Sequence, residues 1–222
     1  MKKALIGLLL LASASAAFTS CKDEDKDPQP SVVSVPLFFP TLTTDSDTVL
    51  NLQRTRASDN ALANLPNPTR PQIKFTINIT DQRDVKIKAV QVYKSYRATS
   101  GASLGPRILA GEYPTFPTTV EYNSQEILTG LLSYTPPTPP DTVGTVRPIK
   151  GATASANNTV FSGSTILFTF EYVLEDGRHI ILTPVNKINA RLQGSTDPFK
   201  TYEVVTGTQT NAPYALPIVV RN

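Results

Sequence analysis

Apolar and polar positions alternate most cleanly from Ile73 onward. Ile73, Phe75, Ile77 and Ile79 interleave with Lys74, Thr76, Asn78 and Thr80. That period of two predicts a strand with one buried face. The pattern returns at Ile166, Phe168, Phe170, Tyr172 and Leu174, which alternate with Leu167, Thr169, Glu171 and Val173. Asp176-Gly177 follows and suits the positive φ values of a tight turn, so Arg178 to Thr183 reads as the partner strand of a hairpin. Lys86 to Arg97 predicts another strand, with Val90, Val92 and Tyr96 on one face and Ala89 and Tyr93 on the other.

Weaker signals fill the rest. Ser31 to Phe39 suggests an edge strand restricted by Pro36. Asn51 to Pro68 reads as a polar loop, Asp81 to Asp84 as a turn, and Thr99 to Gly105 as a Gly/Ser-rich loop. Phe116 to Tyr122 predicts a short strand leading into a turn of helix. Asn123 is placed to cap that helix, with Glu126 three residues on completing a capping box. Ile127, Leu128 and Leu131 give it one apolar face. Tyr134 to Asn158 reads as a long loop stiffened by Pro136-Pro137-Thr138-Pro139-Pro140. Tyr202 to Thr206 and Ala215 to Val220 read as closing strands.

Seven or eight strands and one short helix, with no βαβ rhythm, predict an all-β fold. The expected architecture is an antiparallel immunoglobulin-like β-sandwich with one short helix, preceded by a signal peptide and a flexible tether. The boundaries read as 1–20 for the signal peptide, 21–30 for the tether, 31–68 for an irregular segment and 69–222 for the sandwich.

The amino-terminal pattern is different in kind. Lys2 and Lys3 precede an apolar run from Ala4 to Ala17. About 14 apolar residues are too few for a spanning helix and fit the h-region of a signal peptide. Cleavage after Ala14-Ser15-Ala16 would release a soluble secreted protein. Phe18-Thr19-Ser20-Cys21 instead resembles the lipobox of bacterial lipoproteins, with Phe18 where Leu is usual. That resemblance implies acylation of Cys21, palmitate among the chains, and a firm anchor without a transmembrane helix. Cys21 is the only cysteine, so no internal disulfide forms. Lys22-Asp23-Glu24-Asp25 then resembles the surface-export signal of Bacteroidota lipoproteins, which implies the outer face of the outer membrane.

Charge narrows the functional classes. The formal charge is +3, but losing Lys2 and Lys3 takes 21 basic groups to 19 against 18 acidic ones. A near-neutral mature chain lacks the concentrated basic surface that nucleic acid requires.

The order Ile73-Lys-Phe-Thr-Ile-Asn-Ile-Thr-Asp81, Val90-Gln-Val-Tyr-Lys-Ser-Tyr96, Phe116-Pro-Thr-Thr-Val120 and Phe168-Thr-Phe-Glu-Tyr-Val-Leu-Glu-Asp-Gly-Arg178 resembles the immunoglobulin-like lipoproteins encoded beside SusC/SusD-type outer-membrane uptake systems. It covers roughly residues 70 to 185, and its motifs are structural. The resemblance implies a non-catalytic accessory binding or assembly module, with a SusC/SusD-type complex as partner, glycan as a ligand class, and no cofactor.

Catalytic motifs are sparse. His179 is the only histidine, and it reads as a strand residue at a sheet surface rather than as a catalytic base. The usual zinc sites need more His and Cys than this chain has, and no P-loop or GxGxxG occurs. A glycan hydrolase with a carboxylate pair is the alternative function, drawn from Glu112, Glu121, Glu171 and Glu175. Asp81 and Asp84 are oxygen donors of the kind calcium takes, though turn formation explains them as well. Tyr93, Tyr96, Tyr113, Tyr122 and Tyr134 are candidate sugar platforms and equally half-buried sheet residues. Asp47-Thr48-Val49 and Asp141-Thr142-Val143 resemble the O-glycosylation sequon of Bacteroidota exported proteins, which singles out Thr48 and Thr142.

Overall fold

In the computed structural model the described residues are 34–59, 70–79, 84–98, 102–149, 160–206 and 215–222. Cys21, the Lys22 to Asp25 signal, the 60–68 part of the expected polar loop, Asp81 and most of its turn lie outside them. Val35–Asn222 form one compact unit.

The described chain is mostly β, with thirteen strands and two short helices. One sheet has three strands in the order β1 (Thr41–Leu42), β3 (Gln72–Ile77) and β6 (Thr118–Asn123). A second runs β2 (Leu50–Asn51), β13 (Ala215–Arg221), β9 (Thr165–Leu174), β4 (Ile87–Arg97) and β5 (Ile108–Tyr113). β10 (His179–Ile181) pairs with β9 beyond the end of its β13 contact. A third sheet runs β12 (Lys200–Val205), β11 (Val185–Leu192), β8 (Gly144–Pro148) and β7 (Leu132–Thr135). Two pairings, β2 with β13 and β8 with β11, are parallel, where an antiparallel arrangement throughout was expected.

β3 buries one face, as its pattern requires, whereas β9 is buried on both, Leu167, Thr169 and Glu171 included. Ile73, Phe75 and Ile77 of β3 are fully buried. Ile166, Phe168, Phe170 and Tyr172 of β9 stand opposite Tyr96, Lys94, Val92 and Val90 of β4. The apolar faces meet through aromatic rings. Phe75 lies 5.7 Å from Phe168 and 5.9 Å from Phe170, and Tyr122 stacks on Phe168 at 5.6 Å. Each such pair contributes about 0.5–1.5 kcal/mol beyond burial. Phe38 closes the cluster edge-on to Phe170 at 4.9 Å.

The capping box forms as expected. The Asn123 side chain accepts from the backbone of Gln125 and Glu126, and Glu126 returns to the Asn123 N–H. The helix α2 (Ser124–Leu128) buries Ile127 and Leu128.

Four expectations are corrected. Residues 34–39 form no strand, because Pro36 and Pro40 carry no N–H to donate to a ladder, and pairing begins only at β1. The stretch after Asn51 is a helix, α1 (Leu52–Asp59), rather than a loop. Asn51 caps it by accepting the Arg54 N–H, and Leu52 and Thr55 are buried. The long loop from Tyr134 contains β7 and β8. Their hairpin closes tightly, since a Cβ on Gly144 would lie 2.4 Å from the Tyr134 ring. The strand count also rises from seven or eight to thirteen, through β1, β2, β5, β7, β8 and β11, while the expected strand over 31–39 does not form in its described part.

The turn after β9 is a three-residue loop. Leu174 and Arg178 close it, with Gly177 at φ +82°. Gly177→Val adds no clash, because a Cβ there meets nothing within 4 Å. Its cost is purely the left-handed backbone, about 1–3 kcal/mol. A urea unfolding midpoint lowered in proportion to that free energy is expected, and an unchanged midpoint would contradict the turn geometry.

Candidate functional site

The alternation that sends Phe168 and Phe170 inward sends Leu167, Thr169 and Glu171 to the opposite face of the same sheet. There Glu171 stands opposite Gln91, and Gln91 stands opposite Glu112 on β5. Tyr93 faces Thr169 one step along. A polar cluster therefore spans β5, β4, β9 and β10 on one face.

Arg107, just before β5, is its centre. The side chain is 1% exposed. Its guanidinium donates to Glu171 at 2.7 Å and to Glu203 of β12 at 3.1 Å, and it stacks over the Tyr93 ring at 3.9 Å. The Arg107 N–H also donates to the Glu203 carbonyl, so backbone and side chain bind the same residue. The second oxygen of Glu171 contacts Nδ1 of His179 at 2.6 Å. Two further hydrogen bonds extend the cluster: the Tyr93 hydroxyl donates to Gln91, and the Gln91 amide donates to Glu112 at 2.7 Å. Burial first, and then the negative charge of Glu171, push the Tyr93 phenol up, while Arg107 pulls the other way.

This arrangement holds a charge out of water with good partners. A planar guanidinium offered to two carboxylates and an aromatic face uses what arginine has and lysine lacks. Glu171 spends both oxygens inside the cluster, and the His179 ring is held in place by it. The outer members, Glu203 and His179, are 42% and 45% exposed. Glu112 and Glu171 share the face and flank Gln91, so two of the four candidate carboxylates are brought together. Glu121 is on the other sheet, 3.3 Å from Lys74. Glu175 sits exposed in the β9–β10 loop.

The tyrosines divide. Tyr96 and Tyr122 are buried, Tyr122 sharing a 2.8 Å hydrogen bond with the Tyr113 hydroxyl. Tyr93 has one ring face covered by Arg107, and Tyr134 packs against Gly144. Thr48 and Thr142 are both exposed. Among the described residues, no group of three or more His, Cys, Asp or Glu is placed to hold a metal ion. Arg107 and Glu203 were not singled out in the sequence. Arg107 follows a loop and a proline, where no periodicity marks a residue as buried.

A second buried charge lies on the inner face. Lys94 opposes Phe168, is 6% exposed, and donates to the Glu126 carbonyl at the end of α2. The last carbonyls of a helix lack intrahelical partners, and Lys94 supplies one. Burial lowers its pKa to about 8.

The chain matches no known protein-family model, and neither curated proteins nor solved structures match it.

Two outcomes are expected. Arg107→Ala leaves the buried Glu171 without its cation and with only the His179 contact, which costs about 3–5 kcal/mol in urea unfolding. Replacing Arg107 and Glu171 together by Met should cost less than Arg107→Ala alone. For Lys94, the folded-state pKa lies below that of the unfolded chain, so above about pH 8 the unfolded chain holds more protons. Stability should therefore rise between about pH 8 and 10. The rise should vanish in Lys94→Met; its persistence would assign it to another group. The buried tyrosines, whose phenols are pushed up, act only above about pH 10.

Proposed function

We propose that the mature chain is a lipid-anchored, non-catalytic binding or assembly module on the outer face of the outer membrane, working with a SusC/SusD-type uptake complex. The observation that carries this reading is the lone Cys21, separated by Phe18-Thr19-Ser20 from a short apolar run and directly before Lys22-Asp23-Glu24-Asp25. One thiol at that place is consumed by acylation and leaves no reactive cysteine.

The domain reading is an immunoglobulin-like sandwich carrying an added four-stranded sheet. Support comes from strand order. In an immunoglobulin-like domain, strands A, B and E share one sheet and G, F and C the other. The orders β1-β3-β6 and β13-β9-β4-β5 follow that scheme if β5 is the strand added beside C. β7 and β8 then lie between E and F, and β11 and β12 between F and G. Thr48 and Thr142, both exposed, are the positions proposed for O-glycosylation. The hydrolase reading has Glu112 and Glu171 on one face in its favour. Against it, Glu171 is fully committed to Arg107 and His179.

Cys21→Ala should move the protein from the membrane fraction to the soluble extract. Protease shaving of intact cells should remove the wild-type protein, and a tagged copy should capture a SusC/SusD-type pair. Digestion only after the envelope is opened would place the protein in the periplasm and end the surface reading.

A further inference from the structure

We infer that Leu37 and Phe39 form a contact with the bilayer surface, so that the domain rests on the membrane and does not swing free on its tether. The inference rests on the lipid-anchor reading and deepens it.

Residues 36–40 alternate strictly between buried and exposed: Pro36, Phe38 and Pro40 are buried, while Leu37 and Phe39 face solvent. The buried set is fixed firmly. Phe38 packs on Phe170 and Tyr172, and the Pro36 carbonyl accepts the Tyr172 hydroxyl at 2.7 Å. Leu37 and Phe39 are therefore held outward by a segment bound to β9. They are 50% and 66% exposed, and Phe39 is the most exposed large hydrophobic residue among those described.

The sequence around them favours a lipid occupant. Residues 22–27 are all charged, and then no charge occurs from Ser31 to Thr44. An apolar pair in an uncharged stretch, with an aromatic among its members, suits the headgroup boundary of a bilayer. The position does too. Leu37 lies about sixteen residues beyond Cys21, a length that reaches at most about 55 Å when fully extended. The anchor thus keeps this face near the membrane and raises its effective concentration there.

The chain contains no tryptophan, so Phe39→Trp provides a single reporter, and Leu37→Trp a second. Phe199→Trp, in the connection between β11 and β12, is the control, because Phe199 is 51% exposed. The lipidated protein is reconstituted into phosphatidylethanolamine–phosphatidylglycerol vesicles with brominated acyl chains. Co-sedimentation reads the anchor, and bromine quenching reads the contact. The expected result is co-sedimentation, with Trp at 37 and 39 quenched at least two-fold more than at 199. Co-sedimentation with equal quenching at all three positions overturns the contact and leaves the anchor standing. Quenching absent in vesicles, with a blue shift at 39 that appears in native outer membranes but not in vesicles of their extracted lipids, assigns the pair to a protein partner and also overturns it. Failure to co-sediment removes the anchor reading, and the contact falls with it.

Discussion

The register between β4 and β9 is the constraint on which the rest depends. Side chains on a strand alternate, so a slip of one residue exchanges the two faces completely. Here that exchange would place Glu171 and Thr169 among the aromatic rings and expose Phe168 and Phe170. The pairing runs nearly the whole length of both strands, from Ile87 opposite Leu174 to Arg97 opposite Thr165. The inner face then forms the main core, and the outer face assembles the Arg107 cluster. The two environments differ in chemistry but share a single cause.

The Arg107 cluster joins elements that sequence keeps apart. Arg107 precedes β5, Glu171 is in β9, His179 begins β10 and Glu203 belongs to β12 of another sheet. Apolar packing supports the same junction through Leu104, Leu167, Val205 and Ala215. Desolvating an ion pair gives back much of its Coulombic gain, so the net stabilisation is small. What the cluster supplies is a fixed position: a guanidinium reaching two carboxylates in two sheets tolerates little sliding between them.

Legibility in the sequence followed burial geometry. β3 was readable because water is excluded from one side only, and the inner row of β9 because its outer row, though buried, includes the polar Thr169 and Glu171. The helix α2 was readable because its cap is local, with Asn123 and Glu126 three residues apart. Helix α1 lacked such an apolar face, and its polar Leu52–Asp59 sequence gave only the Asn51 cap as a signal. β7 and β8 were missed because they are short and flank the proline run from Pro136 to Pro140, and Val185–Leu192 shows no regular alternation. In the cluster, Glu171 and His179 were visible as isolated residues. Their union through Arg107 and Glu203 depends on contacts distant in sequence, which no local pattern encodes.

The last strand has a consequence for how the chain is made. β13 lies between β9 and β2, pairing Val220 with Leu50 and Ile218 with Ile166. The second sheet therefore stays open along β9 until residues 215–221 are available. Closing so long a loop is entropically slow and comes late in folding. A chain that crosses a membrane amino terminus first would carry an unfinished β9 edge throughout its passage. The order of closure is thus a property of the topology: the β9 edge is completed by the last strand and by no earlier one.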